Sequence, residues 1–73
     1  MDVQDSIIEC IEGHAYLMTH AIKNKLRSKG IQIDTPKVLR ECKRMEKAGL
    51  IERANTPYVT QIGWKLTSAK AHN

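Results

Sequence analysis

Residues Thr35–Arg53 read TPKVLRECKRMEKAGLIER. Thr followed by Pro opens a helix, because the fixed φ of proline suits the first helical turn and disfavours helical geometry in the residue before it. Val38, Leu39, Cys42 and Met45 then fall on one helical stripe, while Lys37, Arg40, Glu41, Lys43, Arg44 and Lys47 lie elsewhere on the helix. Gly49 is placed to end it, and Leu50-Ile51 begins a strand. The spacing predicts an amphipathic helix over 36–48 with an apolar side and a strongly basic one, running into an extended segment.

Working outward, Asn55, Thr56 and Pro57 mark a turn, and Val59–Thr67 reads as a return strand. In that strand Ile62, Trp64 and Leu66 share one face by alternation, with Gly63 and Lys65 on the other. Trp64 is therefore a core residue. Upstream, Ala21, Ile22 and Leu26 give a second helix over about 20–29, capped by Thr19 and ended by Gly30. Ile31 and Ile33 alternate with polar residues before Asp34 and are expected to pack beneath the hairpin. Val3, Ile7, Ile8 and Ile11 give a first helix over about 3–12, with Asp2 as its cap and Gly13 as its stop. Ala15–Met18 is short and apolar, which suits a strand of two or three residues. The order is helix, short strand, helix, helix, hairpin: mainly α with a small β-hairpin, an α+β class. One domain over 1–67 and a flexible tail over 68–73 account for the 73 residues.

Charge is unevenly placed along this order. The chain carries 12 Lys and Arg against 8 Asp and Glu, a net +4. Asp2, Asp5, Glu9 and Glu12 occupy residues 1–15, which contain no Lys or Arg; every basic residue follows them. Such polarity suits a protein whose basic side meets phosphates. The acidic first helix is a second candidate surface, for a protein partner. No apolar run is long enough to cross a bilayer, and charged residues interrupt every N-terminal apolar stretch, so neither a membrane nor a signal peptide is expected. Two cysteines do not make a disulfide scaffold, and a cytoplasmic, nucleoid-associated location follows.

The run from Val38 to Arg53, with its Gly49-Leu50-Ile51, resembles the recognition helix and first wing strand of prokaryotic and phage winged helix-turn-helix regulators. Trp64-Lys65-Leu66-Thr67 is similar to the apolar-Leu-Thr segment that closes their hairpin. The resemblance implies a three-helix winged helix-turn-helix that binds double-stranded DNA in a sequence-specific manner, with the third helix in the major groove and a wing over about 52–60 on the backbone or minor groove. The residues expected at DNA are Thr35, Lys37, Arg40, Lys43 and Arg44 on the helix, and Arg53, Asn55 and Thr56 on the wing. Arg40 and Arg44 are one helical step apart, and arginine pairs bidentately with guanine or clamps phosphate. Lys43 is assigned to the backbone; Lys47 and Lys29 are read as solvated surface, and Leu39 as partly buried. The chain departs from the family in its connection Gly30–Asp34, longer than a tight helix-turn-helix turn, which changes the angle at which the third helix can dock. The resemblance equally admits a protein-binding adaptor.

Other chemistries find less support. Cys10 and His14 stand four apart, and with His20 and Cys42 they suggest a soft metal site, but no Cys-x-x-Cys supports ligation and Cys42 lies on the inward stripe. No metal and no cofactor are expected. No activated nucleophile, carboxylate pair or Gly-rich phosphate loop is present, so no enzyme activity is expected. With no helix read before residue 2 or after residue 67, a monomer is favoured over a homodimer.

Overall fold

The computed structural model describes residues 2–56 and 62–67. The elements are α1 (Val3–Ile11), β1 (Leu17–Met18), α2 (Thr19–Ser28), α3 (Thr35–Lys47), β2 (Ile51–Ala54) and β3 (Gly63–Leu66). The three strands form one antiparallel sheet in the order β1-β3-β2. Leu17 pairs with Trp64 across β1 and β3, and Ile51, Glu52, Arg53 and Ala54 pair with Leu66, Lys65, Trp64 and Gly63 across β2 and β3. The expected α+β class is what the fold shows.

One core joins the two layers. Ile7 and Ile11 of α1, Ile22 and Leu26 of α2, Val38, Cys42 and Met45 of α3, Ile51 of β2 and Trp64 of β3 are buried together. Each helix contributes residues three or four apart, the periodicity that puts them on one side of a helix. Trp64 is fully buried and Leu39 packs on the core from its margin, both as expected. Ile33 is buried and Ile31 packs on the same cluster, which fastens the connection between α2 and α3 to the core.

The helix ends explain the local geometry. At the end of α2 the Ile31 N–H reaches the Leu26 carbonyl at 3.0 Å, and at the end of α3 the Leu50 N–H reaches the Met45 carbonyl at 2.9 Å. Both closures need a left-handed residue, supplied by Gly30 (φ 87°) and Gly49 (φ 82°). The starts differ from expectation. Thr19 is the first residue of α2 and not its cap; the cap position is Met18, with no side-chain bond. The Thr19 hydroxyl instead donates to the Ile62 carbonyl at 2.9 Å and accepts from Trp64 Nε1 at 2.9 Å. A buried indole N–H needs a partner, and this one takes the hydroxyl that would have capped the helix. In α3 the helix opens one residue early, at Thr35, and the cap is Asp34, whose carboxylate accepts from the Lys37 N–H at 3.1 Å. The short first strand covers Leu17–Met18, a two-residue strand within the apolar piece 15–18, as expected. In the return strand, Gly63–Leu66 is extended as expected; residues 57–61 and 68–73, with the start of the expected return strand and the expected tail, lie outside the described residues.

Candidate nucleic-acid interface

The two sides of α3 are cut from one spacing. Val38, Cys42 and Met45 have no exposed surface. Pro36, Arg40, Lys43 and Lys47, spaced four, three and four residues apart, form the opposite stripe and are all exposed. Lys37 and Arg44 flank that stripe and are exposed as well. The outer face of α3 thus carries five cations and no carboxylate. Lys47, read from the sequence as ordinary surface, stands in line with Arg40 and Lys43 and belongs to this face. Its offset of seven from Arg40 was the signal that would have placed it.

Two carboxylates border the face, both half-buried. On one flank Glu41 accepts from Gln4 Nε2 of α1 with Oε1 at 3.2 Å, and its Oε2 lies 3.3 Å from Arg44 Nη1. On the other flank Glu46 Oε2 lies 3.2 Å from Arg53 Nε of β2. The Arg53 guanidinium also sits over the Trp64 ring, 5.6 Å from its centroid, a favourable position for a cation against an aromatic face. Arg53 is therefore held at the root of the hairpin, between α3 and β3. Lys37, Arg40, Lys43 and Lys47 form no ion pair among the described residues.

The remaining expected contacts divide in the same way. Thr35 is half-buried in the first turn of α3, and Asn55 is exposed just beyond β2. Thr56 is half-buried; its methyl stands 2.8 Å from where a Cβ on Gly63 would be, so it packs down on β3. On α2 the exposed Lys25 and Lys29 turn towards α1, where Lys29 Nζ meets Glu9 Oε1 at 2.9 Å. That hydrogen bond holds the Lys29 ammonium above its ordinary value. Asp5 and Glu9 of α1, with Glu12 at its C-cap, form an exposed acidic stripe.

Both thiols are in the core. Burial pushes Cys42 up to about 12, with Glu41 adding to the rise. Burial raises Cys10 too, offset in part by Lys29 and Lys25. A thiol kept protonated is a poor nucleophile and a poor soft-metal ligand. Among the described residues no group of three His, Cys, Asp or Glu is placed to hold a metal ion. No described helix is long and apolar enough to cross a membrane. In comparisons with protein-family models, curated proteins and solved structures, none matches this chain.

Proposed function

We propose that this chain is a winged helix-turn-helix domain that binds double-stranded DNA as a small transcriptional regulator, laying the outer face of α3 along the major groove. The observation that carries the reading is the outer face itself: five cations on a helix whose inner face is wholly buried, with its carboxylates turned to the flanks. A major groove about 12 Å wide admits one α-helix. The element order α1-β1-α2-α3-β2-β3, with β3 central in the sheet, places a hairpin directly after that helix, as a wing would be.

The cations take different roles by position. Arg40, at the middle of the outer stripe, faces base edges. Lys37, Lys43 and Lys47 reach the phosphates on either side, where a flexible point charge serves well. The N-terminus of α3 is already occupied by the Asp34 carboxylate, so phosphate contact there falls to side chains rather than to free backbone N–H groups. Asn55 extends the contact along the wing. A protein-adaptor reading rests on the exposed acidic stripe of α1, of which Glu9 is already engaged by Lys29; it explains α1 but leaves the outer face of α3 without a role.

Fluorescence anisotropy with a labelled random-sequence duplex tests the reading. Three phosphate contacts predict a log–log salt slope of about −2.7, steepening to about −4.5 where both arginines of the face also displace counterions. The Arg40→Ala, Lys43→Ala double variant should flatten it by about 0.9 to 1.8. Absence of salt-dependent binding by the native chain at low salt rejects DNA as the partner.

A further inference from the structure

Arg44 differs from the other cations of the outer face in being held. Its guanidinium is bonded through Nη1 to Glu41, and Glu41 is itself fixed by Gln4 from a different helix, so that both carboxylate oxygens are engaged. The Glu41 side chain is 15% exposed, whereas Arg44 is 66% exposed. The carboxylate is thus set into the α1–α3 interface while the guanidinium stands in solvent. A pair this open adds little to stability, since solvent screens it and two long side chains must be ordered to form it. Its consequence is positional. Arginine has five N–H donors in a rigid fork, and one bond to Glu41 leaves four for another acceptor. A side chain already ordered loses less freedom on binding than a free one. A carboxylate beside it also repels phosphate, so Arg44 is disfavoured as a backbone clamp and favoured towards a neutral base edge.

We infer that Glu41, anchored by Gln4, is a positioning residue that makes Arg44 a sequence-reading side chain, while Lys37, Lys43 and Lys47 supply affinity that does not depend on sequence. The inference rests on the DNA reading above. It separates two quantities that would otherwise move together. Removing the Glu41 charge strengthens binding to any duplex and weakens preference for one; removing Gln4 weakens the preference without changing the charge.

The test compares Glu41→Gln, Gln4→Ala and Glu52→Gln with the native chain. Glu52 pairs with Lys65 on the sheet at 3.4 Å, so its variant removes the same charge without touching Arg44. Each protein is titrated against two probes, the unselected random duplex pool and the duplex that the native chain enriches from it. The ratio of the two affinities should fall about threefold to tenfold in Glu41→Gln and in Gln4→Ala, the range that ordering one long side chain supplies. It should hold in Glu52→Gln. Random-pool affinity should rise in Glu41→Gln and stay level in Gln4→Ala. In the DNA-free protein, Arg44 Nη1–H exchange measured by NMR should accelerate in the first two variants only. If the native chain binds duplex but Glu41→Gln and Glu52→Gln change the ratio equally, or Gln4→Ala leaves it intact, the positioning role is overturned while DNA binding stands. If the native chain binds neither probe, the DNA reading falls and this role with it.

Discussion

The inner and outer faces of α3 use the same helical spacing to opposite ends. Val38, Cys42 and Met45 are sealed against α1, α2 and the sheet, while Pro36, Arg40, Lys43 and Lys47 touch solvent. The inner face contributes to stability through burial, which scales with the apolar area removed from water. The outer face contributes almost nothing to stability, since solvated charges that make no ion pair neither bury surface nor gain a partner. A helix whose outer side costs nothing to change in folding is free to be shaped by what it binds. Stability and binding should therefore separate cleanly between two sets of residues on one element.

The largest test of that separation is Met45→Ala. Deleting a fully buried side chain leaves a cavity and should cost about 2–5 kcal/mol, read as a fall in the urea midpoint.

Thr19→Val should come next, at about 1–3 kcal/mol, because the buried Trp64 indole N–H loses its partner, while the Ile62 carbonyl keeps only the Thr19 N–H. Far-UV circular dichroism in urea measures it. An unchanged midpoint would mean that water replaces the hydroxyl and that the Thr19 N–H bond to the Ile62 carbonyl at 3.1 Å suffices to hold the junction of β1 and α2.

Cys42 sharpens the inner face through pH. In the unfolded chain its thiol ionises near the ordinary value of 9.0, and in the folded chain at about 12. The folded state therefore retains a proton that the unfolded state releases. The contribution is fully present below pH 9 and is lost as pH rises towards 12. Native stability relative to Cys42→Ala should fall by at most about 1.4 kcal/mol per pH unit across that window, measured as paired urea midpoints. A constant difference would place the thiol in contact with water.

The smallest expected effect is on the outer face. Replacing Arg40, Lys43 and Lys47 together by Ala should move stability by no more than about 0.5 kcal/mol in thermal melts. A larger fall would show that their aliphatic stems cover apolar surface and that the two faces are not independent.

The same contrast explains what was legible in the sequence. Apolar spacing gave all three helices to within a residue or two, and the alternation around Trp64 assigned it to the core, because both patterns are local periods imposed by burial. The cap residues were less legible. Thr19 and Asp34 each precede or open a helix with a short polar side chain, and the choice between capping and another role was made by a partner far along the chain: Trp64 for Thr19. The site divides likewise. Lys37, Arg40 and Lys43 are visible in the sequence as exposed charges on a basic helix, and Lys47, read as solvated surface, is exposed and stands in line with Arg40 and Lys43. The bond from Gln4 to Glu41 spans 37 residues and has no local pattern. The placement of Arg53 over Trp64 depends on the register of β2 against β3, which alternation alone does not set.

The most direct test of the outer face as the binding face is the pattern of backbone amide shifts when random-sequence duplex DNA is added to the isotopically labelled chain at low salt. Shifts should concentrate on Lys37–Lys47, with a second group at Arg53–Thr56, and should leave Asp5, Glu9 and Glu12 in place. Shifts confined to that acidic stripe, or none anywhere, would contradict a DNA-binding role for α3.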